Sequence, residues 1–166
     1  MSNERRLTTQ QLIEKIEKLA KSRIASEEVV SLEQFRDAKK KMDPKTLLII
    51  EDDLEIQNLY KRIFEGKGFI LRLASDATAL AQVLDDSACD LVIIDIGLPW
   101  IDGLELAAML KEHRLLKHIP FVFVSGSTDE KDLNRAFDVG AADFIKKPID
   151  LIKLQNTVET LLKLND

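Results

Sequence analysis

The sequence predicts an α/β fold in which a five-stranded parallel sheet is doubly wound, with helices on both faces. Three observations predict it. From residue 46 onwards, five short apolar runs alternate with five amphipathic segments, and glycine or proline residues separate them. The runs LLII and LVII are apolar at every position and rich in β-branched residues, which is typical of central parallel strands covered on both faces. The chain of 166 residues suffices for one such domain and a modest appendage.

The predicted strands and helices follow one another as a βα unit repeated five times. Ser127-Thr128-Asp129-Glu130 has the pattern of a capping box that opens the fourth helix, and Gly140 stands where a C-terminal cap belongs. The predicted strands are Thr46–Ile50, Phe69–Leu73, Leu91–Ile94, Phe121–Val124 and Asp143–Ile145. The predicted helices cover about 54–65, 76–86, 103–113, 129–139 and 150–164.

A segment of different character precedes the first strand, and Pro44 marks the boundary because proline ends a preceding helix. Residues 1–45 carry 11 Lys/Arg against 8 Asp/Glu, whereas residues 46–166 carry 13 against 21. Apolar residues recur at helical spacing after Thr8 and again after Ser26. We therefore predict an N-terminal α-helical extension of two amphipathic helices, residues 1–45, followed by the α/β domain, residues 46–166.

Composition excludes several classes of protein. Apolar residues make up 45% of the chain, which is enough for a core, but no apolar run approaches the roughly 20 residues that span a membrane. The first ten residues lack the apolar stretch of a signal peptide. The single cysteine, Cys89, excludes an internal disulfide and a cysteine-based zinc site. We expect a cytoplasmic protein whose acidic α/β domain does not bind nucleic acid broadly.

The chemistry is expected at the carboxyl ends of the predicted strands, where doubly wound sheets bind their ligands. Three carboxylates brought together there are unfavourable unless they are protonated or neutralised, and their oxygens suit Mg²⁺ or Mn²⁺. Taken singly, an acidic cluster is usually a helix cap and a Lys-Pro pair a surface turn; their coincidence at strand ends favours a site. The polar residues that follow the predicted strands are Glu51, Asp52, Asp53, Asp95, Ser125, Lys146 and Lys147.

Four stretches of the chain resemble the receiver domain of two-component response regulators. These stretches are LLIIEDD, LVIIDIGLPWIDGLEL, VFVSGS and GAADFIKKPID, and the resemblance covers residues 46 to about 164. The spacings agree with the family pattern: Asp95 follows Asp52 by 43 positions, Ser125 follows Asp95 by 30, and Lys147 follows Ser125 by 22. The resemblance implies the flavodoxin-like strand order 2-1-3-4-5.

The resemblance also implies a role for each site residue. Asp95 would be the phosphoacceptor, assisted by Lys147 and Ser125, while Lys146 would be a surface residue and Asp53 a helix cap. Ser125 and Phe144 would form the switch, and Phe144 lacks the hydroxyl of a tyrosine, so it would report the state through packing alone. The implied Mg²⁺ ligands, with Mn²⁺ as the alternative ion, are Glu51, Asp52, Asp95 and the backbone carbonyl of Gly97.

The implied function is a phosphorylation-switched signalling module that acts through protein contacts, either as a stand-alone regulator or as a phosphorelay shuttle. We expect no enzymatic activity beyond slow self-dephosphorylation. Phosphatases with an aspartate nucleophile place a second aspartate, the general acid, where this chain has Gly97. The chain stops at Asp166 after the fifth predicted helix, so output is expected from a partner or from residues 1–45. One alternative is the receiver fragment of a hybrid kinase, with residues 1–45 as a linker.

The expected partners are a histidine kinase or a histidine phosphotransfer protein and a downstream protein target. We expect no interaction with a membrane. The second alternative is a regulator whose N-terminal helices bind DNA, but Glu27 and Glu28 at the start of the second helix oppose docking on phosphates. The helical pair could instead pack on the receiver, hold a partner, or form a homodimer through residues 8–41. The sequence does not rank these three.

Overall fold

The computed structural model describes residues 13, 14, 16–18, 32, 34, 43–86 and 88–166. The chain divides into two units between Pro44 and Lys45, and each is considered by itself. In the first unit, every described residue before Asp43 is helical. The predicted starts after Thr8 and Ser26, and most of the segment 8–41 assigned to a homodimer, lie outside the described residues.

The second unit alternates strands and helices in the predicted order, and the βα repeat is confirmed. Among the described residues, no helix is long and apolar enough to cross a membrane. The elements are β1 (Thr46–Ile50), α1 (Leu54–Phe64), β2 (Ile70–Ala74), α2 (Ala77–Asp86), β3 (Leu91–Asp95), α3 (Gly103–Glu112), β4 (Phe121–Ser125), α4 (Glu130–Val139), β5 (Asp143–Lys146) and α5 (Leu151–Leu164).

The five strands form one parallel sheet in the order β2-β1-β3-β4-β5, which confirms the predicted flavodoxin-like, doubly wound fold. The register pairs Leu47 with Leu91 across β1 and β3, and Val92 with Phe121 across β3 and β4. The strand order reverses between β1 and β3, and the crevice at that reversal opens at the carboxyl edge of the sheet. The carboxyl ends of β1 and β3 are therefore adjacent.

Both faces of the sheet are covered, because successive residues of a strand point to opposite faces. Leu48 and Ile50 belong to the core beneath α2, α3 and α4, whereas Leu47 and Ile49 belong to the core beneath α1 and α5. β1, β3 and β4 are buried along nearly their whole length. This two-sided burial explains why these runs are apolar at every position.

The second strand begins one residue later than predicted. Gly68 adopts a left-handed φ of 88°, and the Phe69 N–H donates to the carbonyl of Phe64 at 3.1 Å. The Phe69 ring also packs edge-to-face on Phe64, with 5.8 Å between centroids. Phe69 therefore packs against the end of α1 and precedes β2, although its aromatic side chain suits a strand equally well.

The fourth helix is capped by a different residue from the one predicted. Asp129 is the N-cap and accepts a hydrogen bond from the Lys131 N–H at 2.9 Å, so the capping box at Ser127 is wrong. Ser127 instead accepts from the Asp129 N–H at 3.1 Å, in the turn that leads to the helix. At the other end, Gly140 is confirmed as the C-cap, with a left-handed φ of 92°.

Gly103 allows α3 to start directly against the end of β3. A Cβ atom at Gly103 would lie 2.3 Å from the carbonyl oxygen of Asp95 and 2.7 Å from the Cα of Ile96. The Gly103 N–H donates to the carbonyl of Ile96 at 3.0 Å, and Asp102 caps the helix by accepting from the Leu104 N–H at 2.8 Å. The backbone that carries Asp95 is therefore fixed by a contact only glycine permits.

We expect Gly103→Ala to lower the free energy of unfolding by about 1–3 kcal/mol, because the backbone around Asp95 must move to admit the methyl group. Gly126→Ala is the matched control: a Cβ there meets nothing within 4 Å, and its φ lies outside the left-handed region. That control should change stability by no more than about 0.5 kcal/mol. Urea denaturation measures both, and equal unfolding free energies for the two variants would show that Gly103 is not under this constraint.

Candidate functional site

Three acidic residues meet at the carboxyl edge of the sheet. Glu51 and Asp52 directly follow β1, and Asp95 is the last residue of β3. One carboxylate oxygen from each lies within 4.8 Å of the others. Glu51 and Asp95 are only 1% and 6% exposed, whereas Asp52 is exposed to solvent. The structure thus brings together the three side chains predicted to bind a metal ion.

Both carboxylate oxygens of Asp95 have a hydrogen-bond donor. The Gly97 N–H donates to Oδ1 at 3.0 Å, and the Lys147 ammonium donates to Oδ2 at 3.2 Å. Lys147 Nζ also lies 3.7 Å from Glu51 Oε2, so one ammonium faces both buried carboxylates. Its neighbour Lys146, the last residue of β5, is exposed. Of the two adjacent lysines, Lys147 is the one in the cluster.

Ser125 and Phe144, the proposed switch pair, lie on neighbouring strands. Ser125 ends β4 and is buried; its hydroxyl accepts from the Ser127 N–H at 3.0 Å rather than contacting Asp95 in the described part of the chain. Phe144 is buried in β5, in register with Phe123 of β4. The Lys147 N–H donates to the carbonyl of Ser125 at 2.7 Å, which joins the ends of the two strands beside the carboxylates.

Glu51 carries the clearest electrostatic perturbation of the cluster. The pKa of Glu51 is raised from 4.5 to about 7; burial is the largest cause, and the charge of Asp95 acts in the same direction. The Asp53 N–H, which donates to Glu51 Oε1 at 3.0 Å, and the Lys147 ammonium act in the opposite direction. Glu51 Oε2 is buried and has no hydrogen-bond partner. A buried carboxylate oxygen without a hydrogen-bond donor is suited to bind a cation.

Two residues that support the cluster escaped the sequence analysis. Gln57 of α1 is buried and donates from Nε2 to the carbonyl of Glu51. Its position before Tyr60 and Phe64 on the buried stripe of α1 was the available signal, because a polar residue in an apolar stripe needs a partner. The other residue is Gly103, whose only signal was that it follows Asp102, a good N-cap residue.

Comparison with known proteins identifies the domain. The family model "Response regulator receiver domain" matches residues 47–159, which is most of the α/β unit. The chain belongs to this family. The match spans all three carboxylates and Lys147.

Individual relatives agree with this assignment. The aerobic respiration control protein ArcA of Escherichia coli K12 is 35% identical over 116 residues, which cover 70% of this chain and 48% of that protein. A CheY-like receiver domain protein from Methanospirillum hungatei is 28% identical, with a TM-score of 0.65 and coverage of 73% and 95%. A histidine kinase receiver domain from Syntrophus aciditrophicus is 30% identical, with a TM-score of 0.65 and coverage of 72% and 90%. The chain spans about half the length of the curated relatives it matches.

The raised pKa of Glu51 predicts how the stability of the metal-free receiver depends on pH. Between pH 4.5 and about 7 the unfolded chain releases this proton while the folded protein keeps it, so rising pH favours unfolding. We expect the free energy of unfolding to fall by roughly 3 kcal/mol across this window from Glu51 alone, because a tenfold difference in proton affinity between the two states corresponds to about 1.4 kcal/mol.

Denaturation in EDTA at a series of pH values measures this effect as the difference between the wild type and Glu51→Gln, which removes the titrating group. Glu55→Gln, at an exposed glutamate on α1, is the control and should follow the wild-type curve. Parallel curves for the wild type and Glu51→Gln would contradict a raised Glu51 pKa.

Proposed function

We propose that this receiver accepts a phosphoryl group on Asp95 and signals through a phosphorylation-dependent change in its protein contacts. One observation carries the proposal: Asp95 is a buried carboxylate that lies within 4.8 Å of two others and 3.2 Å from a lysine ammonium. That arrangement gives a nucleophile with positive charge beside it. We further propose a stand-alone regulator or phosphorelay shuttle with no catalytic output beyond slow self-dephosphorylation.

The residues at the carboxyl edge fit a divalent cation. Glu51, Asp52 and Asp95 offer hard oxygen ligands, and the buried Oε2 of Glu51 accepts no hydrogen bond, with the Lys147 ammonium 3.7 Å away. We propose that these three side chains and the Gly97 carbonyl hold Mg²⁺, with Mn²⁺ as the alternative. Because Asp52 is exposed, the site stays open to water and to phosphate oxygens, which suits Mg²⁺ better than a closed cage. When bound, the ion supplies positive charge against the phosphoryl oxygens.

The proposed reaction is a phosphoryl transfer to a carboxylate. An oxygen of Asp95 donates an electron pair to phosphorus while the bond from phosphorus to the donor atom breaks. That atom, a histidine nitrogen or an acyl phosphate oxygen, leaves with the electron pair of the broken bond. The Gly97 N–H orients the Asp95 carboxylate, and the Lys147 ammonium offsets charge on the transferred group.

The proposed phosphoryl donor is a histidine kinase or a histidine phosphotransfer protein, and the surface around the site supports docking of a protein. Leu54 and Ile152 are 68% and 71% exposed. They lie in the first turns of α1 and α5, which cover the same face of the sheet and begin at its carboxyl edge. Two large apolar side chains thus flank the acidic cluster in solvent.

The receiver fragment of a hybrid kinase is the second candidate function. It is favoured by the likeness to the receiver domain of a histidine kinase from Syntrophus aciditrophicus, 90% of which is covered. ArcA, by contrast, is named as a control protein and TorR of Escherichia coli as a transcriptional regulatory protein. For this chain we propose output through a downstream protein target, without DNA binding by residues 1–45.

The proposed switch connects Ser125 to Phe144. A phosphoryl group adds up to about two negative charges and three acceptor oxygens. Ser125 would turn its hydroxyl from the Ser127 N–H towards that group, and Phe144 would repack beneath it. Both residues adjoin the end of β5, so α4, β5 and α5 would then present an altered surface to a partner.

Phosphorylation of the wild-type chain should require a divalent cation and should vanish in Asp95→Asn, because the amide is not a nucleophile. Asp53→Asn is the control: Asp53 caps α1, and asparagine caps a helix equally well. Incubation with acetyl phosphate and Mg²⁺, followed by intact-mass measurement, should show a hydroxylamine-sensitive gain in the wild type and in Asp53→Asn. Labelling of Asp95→Asn at the wild-type rate would overturn the assignment.

Ser125→Ala should uncouple phosphorylation from its consequence. The variant retains Asp95 and Lys147, so it should still take up the phosphoryl group. It lacks the hydroxyl that would turn towards that group. Amide hydrogen exchange in β5 and α5, with and without beryllofluoride, measures the response. We expect a change in the wild type and at least a severalfold smaller one in Ser125→Ala; an equal change in both would remove Ser125 from the switch.

A further inference from the structure

Four polar or charged side chains are buried in the part of the chain that the structure describes, namely Glu51, Gln57, Asp95 and Ser125. Three of them belong to the proposed phosphorylation site, and Gln57 is the fourth. We propose that Gln57 is a positioning residue of the metal site: its side-chain amide fixes the peptide that carries Glu51 and Asp52. This inference rests on the proposed function. It concerns how firmly the metal-free protein holds the metal-binding side chains in the orientation that binds the ion.

The position of Gln57 demands a specific partner. It lies on the stripe of α1 that also buries Tyr60 and Phe64 against the sheet. An apolar side chain would be favoured there by burial alone, whereas an amide without a hydrogen bond would be costly. Nε2 of Gln57 donates to the main-chain carbonyl of Glu51 at 2.5 Å. The contact therefore joins the buried face of α1 to the first residue of the acidic cluster.

The carbonyl of Glu51 needs this donor because the sheet no longer supplies one. The Glu51 N–H donates to the carbonyl of Ala74 at 3.1 Å, which extends the ladder between β1 and β2 by one bond. β2 ends at Ala74. A buried backbone carbonyl beyond the end of a ladder must find another partner or lose a hydrogen bond. The Gln57 amide takes the place of the missing strand.

Fixing this peptide fixes two ligands at once. Glu51 lies on one side of the peptide bond and Asp52 on the other, so its orientation sets the direction of both side chains. The Asp53 N–H closes the same turn by donating to Glu51 Oε1 at 3.0 Å. Without the amide, the turn would sample other orientations, and Mg²⁺ would bind only the competent fraction, which weakens the apparent affinity by that fraction. A neutral amide achieves this without changing the charge of the site.

Calorimetric titration of the full chain with Mg²⁺ tests the proposal through Gln57→Met, which removes the donor and roughly keeps the volume. We expect about a three- to tenfold weaker affinity, which corresponds to roughly 0.7–1.4 kcal/mol and lies within the net contribution of one hydrogen bond. Asn58→Met is the control on an exposed position of α1, and Val158→Ala is the control for lost core stability on the same face. Both controls should bind within about twofold of the wild type.

A second measurement uses the metal-free protein. Amide hydrogen exchange at Asp53 should be faster in Gln57→Met than in Val158→Ala, because the turn that this N–H closes has lost its anchor. Wild-type Mg²⁺ affinity and unchanged Asp53 exchange in Gln57→Met, whatever its melting temperature, would leave Gln57 a purely structural residue and overturn the proposal. Absence of Mg²⁺ binding by the wild type would instead overturn the proposed function. If Gln57→Met does not fold, Gln57→Asn, whose shorter side chain cannot reach the carbonyl, should show the same two effects.

Discussion

Repulsion between two buried carboxylates, Glu51 and Asp95, is the interaction around which the carboxyl edge of this receiver is organised. Burial deprives both groups of water, and the consequence is a Glu51 pKa raised to about 7. Three neighbouring donors offset this negative charge. The Gly97 N–H and the Lys147 ammonium donate to Asp95, and the Asp53 N–H donates to Glu51. None of them donates a hydrogen bond to Glu51 Oε2, which lies 3.7 Å from the Lys147 ammonium, so a cation bound here would offset the remaining negative charge.

The fold brings these two carboxylates together although their repulsion is unfavourable. Parallel strands end at one edge, and the reversal of strand order between β1 and β3 sets Glu51 and Asp95 side by side. Two apolar layers hold the sheet rigid, and α3 starts against the end of β3 because Gly103 has no side chain. The free energy that folding gains from the core thus holds these charges where they repel, and the proposed metal ion would offset that repulsion.

Much of this arrangement was readable from the sequence, because strand ends and the carboxyl edge follow from apolar periodicity. Periodicity brings both Lys146 and Lys147 to this edge, the resemblance to receiver domains selects Lys147, and the structure puts the Lys147 ammonium beside Asp95. Phe69 and Ser127 were misassigned because local hydrogen bonds at helix ends compete with the pattern of the side chains. Gln57 and Gly103 were missed for a different reason: each acts on a backbone atom that only the assembled fold brings near.

Lys147 and the proposed Mg²⁺ ion would neutralise the same carboxylates, and Mg²⁺ titration of Lys147→Ala measures that competition. Removing an ammonium 3.2 Å from Asp95 and 3.7 Å from Glu51 leaves more negative charge for the ion to neutralise. Lys147→Ala should therefore bind Mg²⁺ more tightly than the wild type, by roughly threefold or more. Lys146→Ala, which removes the adjacent exposed lysine, should bind as the wild type does. Unchanged or weaker binding in Lys147→Ala would contradict the claim.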